Sequence, residues 1–369
     1  MLLTSRPIDS ATFDITGCRI FSDGRQIQPP PTTNDVVITT TSGTWRIDNI
    51  ISSGKRLVLA AGPGGSVRFG NTRYRGELHL LENSDGQYQV INHVDMEDYL
   101  AGVLPKELYA DWSIETYRAL AIAARTYALY QKLHHGGDRN YDVSDNQSSQ
   151  VYGGVSAQTT KSVQAVNDTA GQVLAYGPVG QERIFMTQYS AVNGGVVNGA
   201  YVIRDLNASE DIPPLQGGQV DEDGRTCPRF FWPSVRISKT QMYRALQSSR
   251  FADTKKLADI KEMRIASRTE YGRNVWLDLV DSQGFWMRIR AEDLRLVLLR
   301  SDIPDAKKLY SMNCSIRDTG NAFEFHDGRG FGHGVGLSQW GAQDKAMKGW
   351  NARRILEFYY PSSTIIRTW

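Results

Sequence analysis

Glu107 closes the stretch Gly102-Val103-Leu104-Pro105-Lys106-Glu107, a lone carboxyl group placed just after a proline. Its neighbours Val103, Leu104, Leu108 and Trp112 are apolar and can strip water from it. Desolvation disfavours the charged carboxylate and keeps a proton on it near neutrality, as a general acid requires. Considered alone, a loop glutamate is a solvated surface group, so its wider company must decide. A second stretch runs Gly328-Arg329-Gly330-Phe331-Gly332-His333-Gly334-Val335-Gly336-Leu337-Ser338-Gln339 and alternates five glycines through nine positions before a helix opens. Backbone without Cβ atoms lets a polymer approach closely, and a helix N-terminus can hold an anion. The Lys-Ser/Thr pair of a phosphate-binding loop is missing after the last glycine. His333 is open to three roles: structural hydrogen bonding, substrate contact or metal ligation. The third stretch, Tyr189-Ser190-Ala191-Val192-Asn193-Gly194-Gly195, reads as a strand entering a tight turn. Ser190 lacks the flanking glycines of a nucleophile elbow. The six histidines form no HExxH or HxH pair, which speaks against a zinc hydrolase.

The elements that must position these groups imply an α+β chain. Residues 1–92 read as a β-rich N-terminal region, with strands near 36–40, 56–60, 77–81 and 88–91. Residues 93–203 form the first part of a mixed αβ core. A short helix is expected over 95–101, ended by Gly102 and barred from continuing by Pro105. Ser113 caps a second helix running to about 133, whose Ile114, Tyr117, Leu120, Ala121, Ala124 and Ala128 recur at helical spacing. Gly136-Gly137 is expected to end it. Residues 204–300 comprise an irregular connection and a small inserted αβ unit. Its expected parts are a helix at 239–247, strands at 261–267, 273–280 and 284–290, and a helix or turn at 291–299. Residues 301–369 complete the core with the Gly-rich loop and two helices.

Composition bounds the function classes. Hydrophobic residues make up 40% and charged residues 22% of 369, which suits a globular protein with a real core. A net charge of +2 is too small to argue for nucleic acid. Cys18, Cys227 and Cys314 are far apart and form no CxxC; one disulfide is possible, and three unpaired thiols are the slightly favoured expectation. No window approaches the roughly 20 apolar residues of a membrane span. Residues 1–10 hold no apolar signal core, so either the protein is cytoplasmic or an export signal has been removed.

Four ordered motifs over residues 95–361 resemble the stage II sporulation protein D family, which includes the amidase-enhancer proteins. The first joins Glu97-Asp98-Tyr99-Leu100-Ala101 and Gly102 to Glu107 with Ala121-Ile122-Ala123-Ala124-Arg125-Thr126-Tyr127. The second is Asp145 followed by Gln150-Val151-Tyr152-Gly153-Gly154, and the third is Tyr189-Ser190 with Gly194-Gly195. The fourth is the Gly-rich stretch followed by Ile355-Leu356-Glu357-Phe358-Tyr359-Tyr360-Pro361.

The resemblance implies a peptidoglycan lytic transglycosylase with Glu107 as its single acid–base. It implies an extracytoplasmic location, a central glycan-binding groove, and glycan strands as partner and substrate, strands stripped of peptide among them. Arg125, Gln150, Tyr152, Tyr189, Ser190, Gly194, Gly195, His333 and Gln339 are then expected substrate contacts, with Arg125 also eligible as scaffold. Asp111, Glu97 and Asp98 are the nearest carboxylates in sequence, and a pair with Glu107 would give hydrolysis instead. The other reading is a non-catalytic wall binder that stimulates a cell-wall amidase. Some relatives carry a zinc site before Gln-Val-Tyr; serines stand there in this chain, so no metal or other cofactor is expected. Asn193 stands where the family more often has serine.

Overall fold

The computed structural model describes residues 1–135, 139–145 and 150–369. Gly136-Gly137, and residues 146–149 on which the zinc question partly turns, lie outside the described residues. The architecture is α+β with a β-rich N-terminal region. The chain forms two compact units, Met1–Val173 with Ile366–Trp369, and Leu174–Ile365. Boundaries at 92, 203 and 300 do not mark this division. Residues 1–92 do not stand apart from the helical segments C-terminal to them, because Tyr152 lies 5.8 Å from the Tyr74 ring and donates to Asn92 Oδ1 at 3.3 Å. The last residues return to the first unit, where the Thr368 amide donates to the Gly171 carbonyl at 2.9 Å.

The first unit begins with two antiparallel sheets. One has the strand order Ile50–Ser53, Thr44–Ile47, Val36–Thr41, Ser10–Asp14, Val67–Phe69, Thr72–Tyr74. The other runs Tyr88–His93, Glu77–Glu82, Arg56–Ala60, Arg19–Ser22, Arg25–Ile27. Alternation explains the shared core: Val36, Ile38 and Thr40 are buried while Val37 is exposed. Trp45 and Tyr88 meet edge to face at 5.5 Å, and the Tyr88 hydroxyl donates to the Ile38 carbonyl across the sheets at 2.8 Å.

Three helices follow: α1, Met96–Glu107; α2, Ile114–His135; and α3, Thr160–Asp168. Asp95 caps α1 by accepting the amides of Glu97 and Asp98. The expected stop at Gly102 does not occur. The helix runs through Gly102 and Pro105 and ends at Glu107, with Leu108 as its C-cap. Residues 99–104 are all buried, and that packing outweighs the roughly 3 kcal/mol an interior proline costs. Gly102 marks close approach rather than a helix end, because a Cβ there would meet the Gly154 carbonyl at 2.6 Å and the Tyr152 ring at 2.7 Å.

In the second unit the sheet Glu262–Arg268, Asn274–Val280, Trp286–Arg290 and the helices Lys239–Gln247 and Ala291–Arg300 appear close to where periodicity placed them. The αβ unit does not close at 300, however. Ile303, Leu309, Met312, Phe323 and Phe325 join Ile237, Leu246, Leu277 and Leu294 in one core. A second sheet supplies the strand order Val235–Ser238, Ala322–His326, Ser315–Asp318.

Cys18, Cys227 and Cys314 are all buried free thiols. Burial pushes the Cys18 thiol up to about 11 and the Cys314 thiol up to about 12. The native protein should therefore titrate close to zero thiols with a disulfide reagent at pH 8, and all three once denatured. A fast-reacting native thiol would contradict this burial.

Candidate functional site

Four of the expected site residues, Glu107, Arg125, Gln150 and Tyr152, lie in the first unit. Glu107 is half-buried at the last position of α1. Beside this helix lies a tyrosine cluster in which the Tyr99 and Tyr152 rings stand 5.1 Å apart. Burial pushes the Tyr99 hydroxyl well above its ordinary range, and negative charge on Glu107 is among the further contributors. Tyr99 donates to Gln150 Oε1 at 2.7 Å, and Gln150 Nε2 donates to the Ala124 carbonyl at 3.3 Å. The Gly153 amide donates to the Gly102 carbonyl at 3.1 Å. Gln150 and Tyr152 are thus buried supports that lock the Gln-Val-Tyr loop against α1 and α2.

Arg125 does not pair with Glu107. It is 0% exposed and forks onto Glu97, with Nε to Oε1 at 3.1 Å and Nη2 to Oε2 at 2.5 Å. Its Nη1 also donates to the Gln172 carbonyl at 3.1 Å. Of its two expected roles the geometry gives it the scaffold one. Asp98 is engaged by Arg75. Two of the three carboxylates weighed as partners of Glu107 are therefore held by arginines. One signal in the sequence pointed this way: Arg125 falls on the apolar face of α2 and so needed a buried counter-ion.

Tyr189, Ser190, Gly194, Gly195, His333 and Gln339 lie in the second unit. There the third and fourth motifs zip together by backbone. Tyr189 and Ser190 pair in parallel with Leu337 and Ser338, and Val192 exchanges both amide bonds with Phe331 at 2.8 and 3.1 Å. The Asn198 amide donates to the Gly334 carbonyl at 2.8 Å. Gly330, Gly332, Gly334 and Gly336 all have positive φ. A Cβ on Gly336 would collide with the Gln188 carbonyl. These glycines serve the fold's own close packing, which corrects the expectation that they open the backbone to a polymer. Ser190 Oγ accepts the Gly334 amide at 3.2 Å, and Gln339 is buried at the start of the helix Gln339–Met347. Asn193 donates to Asp221 Oδ2 at 2.6 Å and accepts the Gly195 amide at 3.0 Å.

His333 resolves toward the structural role. Its Nδ1 accepts the Val335 amide at 3.0 Å, and the Tyr189 carbonyl also bonds the imidazole. Burial, opposed by Glu292 and reinforced by Arg273 and Arg295, lowers His333 to about 4. The ring is therefore neutral at physiological pH. An unfolded histidine protonates near 6.5, so the folded state resists a proton that the unfolded state takes. Stability from this group is present above about pH 6.5 and is lost as pH falls toward 4. The loss should reach up to about 3 kcal/mol. Thermal melts from pH 7 to 4 should fall more steeply for the wild type than for His333→Gln; parallel curves would remove His333 as the cause. Arg273, which sequence reasoning missed, is 1% exposed and donates to the carbonyls of Gly332 at 3.3 Å and Asn193 at 3.2 Å. No motif or periodicity marks it.

The described helices include none long and apolar enough to cross a membrane. In the first unit, then, the class is an α+β protein with a half-buried glutamate at a helix end, braced by a tyrosine–glutamine network. Residues 84–176, which hold Glu107, Arg125, Gln150 and Tyr152, match the family model described as stage II sporulation protein, and residues 203–336 match a domain of unknown function. The chain belongs to the stage II sporulation protein D and amidase-enhancer family. An uncharacterized protein of Brachyspira hyodysenteriae is 29% identical over 295 residues, covering 79% of this chain and 72% of that one. The amidase enhancer of Bacillus subtilis is 28% identical over 295 residues, 72% of this chain but only 40% of that protein. The stage II sporulation protein D of Bacillus subtilis is 25% identical over 291 residues, 75% and 76% of the two chains. Family membership supports a cell-wall-related role.

Proposed function

We propose that this chain is an extracytoplasmic lytic transglycosylase of peptidoglycan glycan strands, with Glu107 as its acid–base group. The carrying observation is the placement of Glu107, half-buried at the end of α1, while Glu97 and Asp98 are tied to Arg125 and Arg75. Carbonyl groups at a helix C-terminus disfavour negative charge, which suits a carboxyl that must hold a proton before giving it away. Glu107 donates that proton to the oxygen linking N-acetylmuramic acid to N-acetylglucosamine, and the C1–O bond breaks. The resulting carboxylate takes the proton of the muramyl 6-hydroxyl as that oxygen bonds to C1. The product is a 1,6-anhydro end and no water is consumed. An internal nucleophile gains from proximity and removes the need for a second carboxylate. Mass spectrometry of products from purified glycan strands in oxygen-18 water tests this: anhydro ends without label are expected, and labelled reducing ends would mean hydrolysis.

A second reading rests on the relative named amidase enhancer. Here the chain binds the wall and stimulates an amidase without cutting sugar bonds. Adding the protein to a cell-wall amidase on intact sacculi distinguishes the two. Under this reading amidase turnover rises while glycan length stays constant.

A further inference from the structure

The backbone after Glu107 is built to present one aromatic ring. Leu108 is extended, with φ −124° and ψ 151°, and its side chain is 6% exposed. In an extended segment neighbouring side chains alternate, so the residues flanking Leu108 face the opposite side. Glu107 is half-buried and Tyr109 is 59% exposed, as that alternation requires. Two residues of chain span at most about 7 Å, which is within the length of a disaccharide.

The turn carrying Tyr109 is pinned. Its carbonyl accepts from the Tyr117 hydroxyl at 3.2 Å and from the Trp112 amide at 3.1 Å. Lys161 Nζ donates to the carbonyls of Ala110 and Trp112, each at 2.6 Å. Trp112 is only 5% exposed, and its ring backs the Tyr109 ring at 5.2 Å. An exposed aromatic on a stiff backbone, propped by a buried one, loses little conformational freedom when a ligand covers it. Its outer face suits the C–H face of a pyranose ring, and its hydroxyl suits the sugar's polar edge.

We infer that Tyr109 is a stacking platform for a sugar ring of an N-acetylated glycan strand, seated next to the bond that Glu107 attacks. The inference rests on the transglycosylase reading of Glu107, and it adds a substrate contact that none of the four motifs contains. Binding of N-acetylglucosamine–N-acetylmuramic acid oligomers, measured by calorimetry on the full chain, tests it without relying on turnover. Tyr109→Ala should weaken binding about tenfold and raise KM by a similar factor with kcat nearly unchanged. Tyr109→Phe and Tyr109→Trp should keep affinity within about threefold, because each retains a ring face. The melting temperature of Tyr109→Ala should match the wild type, since the ring is exposed. Unchanged affinity and KM in Tyr109→Ala would overturn the platform, as would a wild type that binds no oligomer. Failure of the Glu107 reading shows elsewhere, as absence of anhydro ends from a wild type whose binding still depends on Tyr109.

Discussion

Glu107→Gln should abolish release of anhydromuramyl ends, with a loss of about 10²–10⁴ in kcat, while glycan binding changes little. Positioned proton transfer contributes a factor of that order, and the amide keeps the shape of the acid without its proton. The fold should be indifferent, because a half-buried residue at the last position of α1 exchanges one planar head group for another. Asp111→Asn is the companion. Asp111 is an exposed carboxylate in the turn that follows α1, where Glu97 and Asp98 already have arginine partners. A single acid–base predicts that Asp111→Asn keeps activity within a few-fold. An equal collapse in both variants would point to a carboxylate pair and to hydrolysis. Retention of most activity in Glu107→Gln would remove Glu107 from the chemistry altogether.

The largest stability effect is expected at Asp221. This residue is 1% exposed and accepts from Lys345 Nζ at 2.6 Å, Asn193 Nδ2 at 2.6 Å and the Tyr359 hydroxyl at 2.8 Å. Lys345 is itself 2% exposed, with its ammonium 4.0 Å from the Phe358 ring centre and 2.7 Å from Asp223. Asp221→Ala removes one carboxylate and leaves a buried ammonium half-neutralised and two donors unsatisfied. Breaking such a site costs about 3–5 kcal/mol. With Asp223 still in place the lower end applies, or a melting temperature lower by about 6–12 °C. Lys345→Met in the same background should recover part of the loss, because the stranded charge goes with it. A drop of less than about 1 kcal/mol in Asp221→Ala would mean that water or Asp223 takes over the site.

The same contacts show why some of this protein was legible and some was not. Strands at 36–41, 56–60 and 77–82 and the helix at 239–247 announce themselves through local periodicity, since burial of one face leaves its pattern in the chain. The run through Gly102 and Pro105 misled because residue propensity is local, whereas the burial of residues 99–104 that sustains α1 is supplied by distant segments. The four motifs named the family, yet they did not say which residues face sugar and which face protein. Spacing in sequence carries no direction across a fold.

Glu107 was fixed as the residue of interest by its type and its place among ordered motifs, and nothing in the fold was needed for that. Tertiary structure decided the roles around it. It gave Arg125 to Glu97, turned Gln150 and Tyr152 inward to brace α1, spent the alternating glycines on positive-φ packing against residues 188–198, and left Tyr109 outward on a pinned turn. The physical reason is common to all of them. A hydrogen bond, an ion pair or an exposed ring face is a relation between atoms brought together from far along the chain, and only folding creates it.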